Sequence, residues 1–179
     1  PRPRKPRLVS VDGNLARELE ADGEVLPLAL SESGVAAEFV ALHKDKFRCV
    51  HEWSSPKGGP MWLAWDGSRW RKEPSRVRAW QAAQALGHTL KYRTEANGMT
   101  HAGKHKFETK KFAAAVVELS GYNKDLIATP EEFDADPFLL GTPAGTVDLR
   151  LGKLLEADRE HYITRQTNVA PVEGAHPLF

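Results

Sequence analysis

Residues 98–105 have the spacing of a P-loop, the motif in which backbone N–H groups and one lysine hold the phosphates of a nucleotide. At the last position, His105 replaces the serine or threonine whose hydroxyl binds Mg²⁺. Residues 91–97 are too polar to form the buried parallel strand that precedes such a loop. Only 13 residues separate Lys104 from Glu118, too few for a crossover helix and a returning strand. We therefore predict that this segment binds no ATP.

Residue types that bind zinc occur in two close pairs, Cys49 with His51 and His101 with His105. Their spacing is atypical of zinc sites, although a zinc-dependent DNA-binding or nuclease-like domain stays an alternative. Cys49 has no nucleophile turn around it, so we expect a small buried residue. Asp134 and Asp136 could bind a metal, but the Asp-Pro pair at 136–137 more naturally caps a turn. No catalytic residue, metal site or cofactor is predicted within the chain.

Positive side chains are concentrated in the middle of the chain. Residues 66–111 contain eleven Lys or Arg and four Asp or Glu, whereas residues 118–160 contain four and ten. Positive clusters bind phosphates, so the sequence predicts a surface that contacts nucleic-acid phosphates without base-specific readout. The predicted nucleic-acid-binding residues are Arg69, Arg71, Lys72, Arg76, Arg78, Lys104, Lys106, Lys110 and Lys111. The alternative interpretation is two solvated faces of an ordinary domain, since charged segments are often solubilising.

The composition excludes several other classes of protein. No stretch reaches the roughly 18 apolar residues of a membrane span, and the start lacks the apolar core of a secretory signal. The single cysteine rules out an intramolecular disulfide framework. We therefore expect a cytoplasmic protein without a membrane partner. Residues 1–30 are interpreted as a basic, proline-rich arm or linker.

The first element that would position these residues is a helix starting after Ser31 or Ser33 and ending near Lys46. Its apolar stripe is predicted to be Val35, Phe39 and Leu42. A strand follows at residues 47–53. An Asp-Gly pair at 66–67 then indicates a two-residue hairpin loop. This loop would place Leu63 opposite Trp70 and Trp65 opposite Ser68, with Leu63, Trp65 and Trp70 on one core-facing surface.

Two further helices and several short strands are predicted after the hairpin. One helix runs from about Pro74 to Tyr92 and buries Ala79, Ala82 or Ala83, Leu86 and Leu90. The next runs from about residue 106 to 120, stops at Gly121 and buries Phe112, Val116 and Leu119. A helical turn follows Thr129-Pro130, and strands are predicted at 138–140, 146–149, 153–155 and 163–169. This order predicts an α+β fold, with helices around a tryptophan-rich β-hairpin and a small antiparallel sheet.

Several of these segments carry a family resemblance. They are residues 38–43 and 50–53, the Trp-Leu-Ala-Trp-Asp-Gly-Ser-Arg-Trp run at 62–70, and residues 133–140, 145–150, 152–154 and 158–164. In this order they resemble the helicase-associated N-terminal domain of phage and plasmid primases, which poxvirus-type primase-helicases share. Ala144 departs from the family, which usually has Asn before the Gly-Thr-Val-Asp-Leu run. This departure implies a different turn, in which Gly145 takes the strained conformation.

The resemblance implies that residues 31–172 form a non-catalytic adaptor domain of a DNA-replication protein from a mobile genetic element. It implies that the chain is a fragment, with residues 173–179 beginning a linker to a superfamily 3 helicase that would bind ATP and Mg²⁺. The implied partners are single-stranded or forked DNA, the adjacent helicase and primase domains, and other copies of the protein. The alternative is a structural module for oligomerisation or interdomain contact that never touches DNA.

Overall fold

The computed structural model describes residues 31–96 and 106–172. Its α-helices are α1 (Glu32–His43), α2 (Val77–Ala96) and α3 (Lys110–Ser120). Its strands are β1 (Phe47–Ser54), β2 (Pro60–Trp65), β3 (Trp70–Glu73), β4 (Leu139–Thr142), β5 (Gly145–Asp148) and β6 (Lys153–Leu155). Short 3₁₀ turns lie at Lys106–Glu108, Pro130–Glu132 and Arg159–His161. The predicted α+β class is confirmed, and the arm, the P-loop-like segment and residues 173–179 lie outside the described residues.

Helix α1 begins where the sequence predicts, because the Ser31 hydroxyl accepts a hydrogen bond from the Gly34 N–H at 3.1 Å. Val35 and Phe39 are fully buried, but Leu42 is 54% exposed, so the predicted stripe is wrong at its third position. The helix also ends at His43 rather than near Lys46, since the chain turns there directly into β1.

Strands β1, β2 and β3 form an antiparallel sheet in that order. The predicted hairpin register is wrong: Trp65 pairs with Trp70, and Leu63 with Lys72. The loop is longer because the Asp66 carboxylate accepts hydrogen bonds from the N–H groups of Ser68 and Arg69, each at 2.9 Å. The register differs by two residues, so Leu63, Trp65 and Trp70 still share one face, as predicted.

Both faces of this sheet are covered. On one face, Trp62 is buried and lies edge-on to Phe47, whose ring stacks with Phe39 of α1 at 6.0 Å. On the other face, Leu63 and Trp70 belong to a core cluster with residues from the C-terminal half of the chain. There the rings of Phe133 and Tyr162 lie 5.2 Å apart. The sheet therefore lies between the helices and the C-terminal segments, and this sandwich forms the core.

Helix α2 begins at Val77 and not at Pro74, because Arg76 has a positive φ of 53° that a helix does not accept. The buried residues of α2 follow the prediction, and of the two alternative alanines it is Ala83 and not Ala82 that is buried. The buried set is Ala79, Ala83, Leu86 and Leu90.

Helix α3 starts at Lys110 after Thr109 caps it, so residues 106–108 form a separate 3₁₀ turn. The prediction that Leu119 is buried is wrong, since Ser120 takes the inward position of the last turn and bonds the Ala36 carbonyl oxygen at 3.4 Å.

Strands β4, β5 and β6 form a second antiparallel sheet close to the predicted ranges. Gly145 has a φ of +141°, so it and not Ala144 takes the conformation that side chains avoid, as expected. The predicted strand at 163–169 is wrong. That segment bridges the two sheets with single hydrogen bonds: the Trp70 N–H donates to the Ile163 oxygen at 2.8 Å, and the Thr167 N–H donates to the Gly141 oxygen at 3.0 Å. The segment does not run along either sheet edge for enough residues to form a ladder of backbone hydrogen bonds.

Candidate nucleic-acid interface

Strand β3, the edge strand of the first sheet, and the residue before it carry three of the predicted nucleic-acid-binding residues. Arg69, Arg71 and Lys72 line one open cleft of about 240 Å³, together with Trp70 and Thr164. Trp70 is fully buried, so it forms the floor of this cleft and not a stacking surface. Thr164 is held in place because its N–H and its hydroxyl both donate to the Asp134 carboxylate. We name this site the β3 cleft.

Asp66 lies beside two of the three cations. Its Oδ2 atom is 3.9 Å from the Nε atoms of both Arg69 and Arg71. Burial by itself would raise the pKa of Asp66, but hydrogen bonds from Ser68 and Arg69 outweigh it, so the pKa lies below its usual value. Asp66 is therefore ionised at neutral pH and offsets part of the positive charge of the cleft. The Nε of Arg69 is buried without a hydrogen-bond partner, so this guanidinium is only partly satisfied.

Lys72 reaches over the sheet to an aromatic ring. Its Nζ atom lies 3.8 Å from the ring centre of Trp53, within the range of a cation–π contact. Arg48 lies in the same cross-strand row as Lys72, with Leu63 between them, and it is buried with its guanidinium 4.8 Å from the ring centre of Trp70. A positive charge therefore also lies behind the floor of the β3 cleft.

Arg76 lines a second cavity of about 330 Å³ beyond the end of β3. The other lining residues are Lys57, Gly58, Gly59, Pro60, Trp62, Val117, Glu118, Gly121 and Tyr122. Lys57 and Tyr122 are not among the residues predicted to bind nucleic acid. Lys57 lies in a Ser/Pro/Gly loop, and Tyr122 follows the glycine that ends α3. Both residues therefore lie in or next to turns, and turn residues in a sequence do not indicate which side chains the turns bring together.

The remaining predicted residues are elsewhere. Arg78 forms an ion pair with Glu73, with 3.0 Å between Nε and Oε1, and lines neither of these two cavities. Lys106, Lys110 and Lys111 lie in the 3₁₀ turn and the first turn of α3, and none of them lines the β3 cleft or the Arg76 cavity. Lys104 lies outside the described residues. The predicted set is thus divided among at least three places on the described surface.

The alternative chemistries find little support in the described residues. Cys49 is fully buried, as expected, and burial raises the pKa of its thiol to about 12, so it is not a nucleophile at neutral pH. Among residues 31–96 and 106–172, no group of three or more His, Cys, Asp or Glu could hold a metal ion. His101 and His105 lie outside this part of the chain. Asp136 caps a turn through the Phe138 N–H at 3.0 Å and pairs with Arg150, as the turn interpretation predicts.

Comparison with known protein families shows to which family the chain belongs. Residues 36–179 match the family model described as "D5 N terminal like". The chain belongs to this family. The D5 N-terminal-like domain precedes helicase domains in phage and plasmid primase-helicase proteins, and it is not itself known as a catalytic domain. The family expected from the sequence is therefore confirmed, and the chain is associated with primase-helicase proteins.

No curated protein matches the chain significantly. None of the helices within the described ranges is long and apolar enough to cross a membrane. The expected domain boundaries after residues 30 and 172 stay predictions.

Proposed function

We propose that this D5 N-terminal-like domain is a non-catalytic adaptor that contacts single-stranded or forked DNA through the β3 cleft. In this proposal it lies between primase and helicase modules of a phage or plasmid replication protein, and a superfamily 3 helicase domain supplies ATP and Mg²⁺ binding. The observation that carries the proposal is the position of Arg69, Arg71 and Lys72 around one open cleft. Cations gathered along one edge bind a polyanion more strongly than the same charges scattered over a surface.

The shape of the site supports phosphate contact and not base reading. Arg71 and Lys72 are exposed on an edge strand, where a nucleic-acid backbone can approach without displacing a neighbouring strand. The aromatic floor of the cleft is buried, so bases have nothing to stack on there. A site of this kind binds with little sequence preference and with strong salt dependence.

The test is fluorescence anisotropy with labelled single-stranded, duplex and forked DNA across a salt series. The wild-type chain is compared with the double variant Arg71→Gln/Lys72→Gln and with the charge-matched control Lys124→Gln/Lys153→Gln from the acidic half. We expect binding that weakens steeply with salt. The cleft variant should reduce the slope of log K against log salt by about 1.4 to 1.8, because it removes two phosphate contacts that contribute about 0.7 to 0.9 each. Equal losses in the two double variants would contradict a localised site.

The lysines at the start of α3 need a separate arm of the same experiment. Lys110→Ala/Lys111→Ala shows whether this second group joins the β3 cleft in one binding surface. A loss comparable to that of the cleft variant would extend the interface over both regions. Unchanged binding would restrict the interface to the edge of the first sheet.

A second candidate function rests on the second sheet. Leu140, Val147 and Leu154 are paired in one row across β4, β5 and β6, and Leu140 and Leu154 are 40% and 48% exposed. An exposed apolar row is a feature of protein-contact surfaces. It favours a scaffold role in ring assembly or interdomain contact. Concentration-dependent self-association in sedimentation velocity, without DNA affinity, would support the scaffold and exclude the DNA adaptor.

A further inference from the structure

The Arg76 cavity, at the other end of β3 from the hairpin loop, differs chemically from the β3 cleft. Its volume of about 330 Å³ lies within the range of small-ligand pockets, which is about 300–1,000 Å³. Its wall includes the buried Trp62 and the backbone of Gly121, where an added Cβ would lie 3.2 Å from the Trp62 ring. Its rim carries two cations, one carboxylate and an exposed aromatic ring. These are the groups that a single nucleotide would need.

The exposed ring is Tyr122, and its position is fixed by a neighbour. Tyr122 is 66% exposed, although most large aromatic side chains of the described core are buried. Its ring centre lies 4.8 Å from that of His51, and His51 Nε2 is 2.8 Å from the Gly121 carbonyl oxygen. Since His51 is tied to the backbone next to Tyr122, it supports the tyrosine ring at the mouth of the cavity. A supported, exposed ring is a platform on which a base can stack.

Lys57 and Arg76 supply the positive charge. Lys57 is held in a tight loop, in which the Gly58 N–H donates to the Ser55 oxygen at 2.9 Å. The Ser55 hydroxyl in turn donates to the Pro74 oxygen at 2.7 Å, which fixes this loop beside the turn that contains Arg76. Neither cation forms an ion pair with any residue that the structure describes. Gly58 and Gly59 have φ angles of +82° and +78° and open space at the Cβ position, so their backbone is accessible.

Arg76 itself lines the cavity and is only half-exposed. Its charge partly offsets the rise in the pKa of the Cys49 thiol that burial causes. Arg76 also has a φ of 53°, in the left-handed region that non-glycine residues rarely adopt. Strained residues of this kind concentrate at binding sites.

We infer that the Arg76 cavity binds one nucleotide of single-stranded DNA, with its base on Tyr122 and its phosphate between Lys57 and Arg76. The Glu118 carboxylate on the same rim repels a phosphate and accepts hydrogen bonds from a base, so it fixes which end of the nucleotide faces α3. Strand β3 runs from the β3 cleft towards this cavity. The two sites would therefore hold successive nucleotides of one DNA strand. The inference deepens the proposed function and rests on it, because the strand must first reach this edge.

The test compares a single-stranded oligonucleotide with an abasic strand of the same length, using the full chain. An abasic strand keeps its phosphates but has no base to stack. We expect Tyr122→Ala to weaken binding of the normal strand about 5- to 100-fold and to leave binding of the abasic strand unchanged. Tyr122→Phe should keep wild-type affinity, since it keeps the ring. Lys57→Ala/Arg76→Ala should weaken binding of both strands.

Tyr92→Ala is the matched control, because Tyr92 is also exposed (58%) but lies on α2, 15 residues after Val77 and so about 22 Å along the helix axis. Thermal unfolding of each variant confirms that it folds. Equal binding by wild type and Tyr122→Ala, with loss in Arg71→Gln/Lys72→Gln, would overturn the nucleotide pocket and leave the β3 cleft in place. No DNA binding by the wild-type chain would overturn both.

Discussion

At the scale of single residues, Arg48 is the most unusual group in the core. It is only 8% exposed and has no carboxylate partner among residues 31–96 and 106–172. Its Nη1 atom donates to the carbonyl oxygens of Lys44 and Phe47, its Nε donates to the Tyr162 hydroxyl at 3.2 Å, and its guanidinium lies 4.8 Å from the Trp70 ring centre. Backbone carbonyls and aromatic faces together replace the counter-ion, because both present negative partial charge.

We predict that Arg48→Met lowers the free energy of unfolding by about 2–4 kcal/mol. The loss combines the hydrogen bonds of a charged group with the cation–π contact. Arg48→Lys should fall between wild type and Arg48→Met, since an ammonium cannot make the same planar set of contacts. Urea denaturation measures both, with Arg165→Met as control because that side chain is 91% exposed. A loss below about 0.5 kcal/mol for Arg48→Met would show that the buried charge is not stabilising.

Cys49 should be unreactive while the domain is folded. Burial raises the pKa of its thiol to about 12, so the thiolate needed for alkylation is almost absent at pH 8. We predict that iodoacetamide modifies the native chain more than 100-fold more slowly than the chain in denaturant. The sign of the shift also predicts that stability decreases as the pH rises above 9.0, because the unfolded thiol then ionises and the folded one does not. Alkylation at the same rate in both states would contradict this account.

At the scale of elements, the β4–β5 turn shows which glycine the fold requires. Gly145 has a φ of +141°, and a Cβ there would lie 2.2 Å from the Leu155 oxygen of β6. Gly152 has a φ of +61° with open space around the same position. The first glycine is therefore constrained by both conformation and packing, and the second by conformation alone.

We predict that Gly152→Ala lowers the free energy of unfolding by about 1 kcal/mol and that Gly145→Ala lowers it by more than 2 kcal/mol. The difference arises because alanine at 145 must move the backbone of β6. Chemical denaturation of the two variants side by side tests the comparison. Equal losses of stability would mean that the second sheet accommodates a Cβ at position 145 with little backbone movement.

Predictions from the sequence succeeded where regular helical spacing determines the structure, and they failed where a side chain alters a turn or where distant segments meet. The Ser31 cap and the inward alanines of α2 follow from helical spacing alone. The hairpin register failed because a side chain, Asp66, bonds two backbone N–H groups and enlarges the loop. The segment 163–169 is extended but not a strand, because its partners come from two different sheets.

The same division applies to the candidate site. Arg69, Arg71 and Lys72 could be grouped from the sequence, since all three lie within one short stretch. Arg78 was predicted together with them, but it pairs with Glu73, and this pairing depends on where α2 starts. The meeting of Lys57, Arg76 and Tyr122 involves three separate loops, and no local pattern predicts it.

At the scale of the whole molecule, we expect the chain to hydrolyse no ATP. The family is not known as catalytic, and the P-loop-like sequence lacks the hydroxyl that binds Mg²⁺. A phosphate-release assay with and without single-stranded DNA should show no turnover above buffer, and Lys104→Ala should behave like wild type. Turnover that Lys104→Ala abolishes would show that residues 98–105 form a working nucleotide site.

The position of Trp70 has a consequence for how this domain is made. Its indole N–H donates to the carbonyl oxygen of Arg159 at 2.8 Å, and that residue is synthesised 89 residues later. At about 5–20 residues per second, a ribosome needs about 4–18 s to reach it. During that time the tryptophan-rich sheet exists without the segment that covers its second face. A nascent chain in this interval exposes the apolar sheet face that carries Leu63 and Trp70, so overexpression in cells short of chaperones should yield aggregates in which this face is buried between chains.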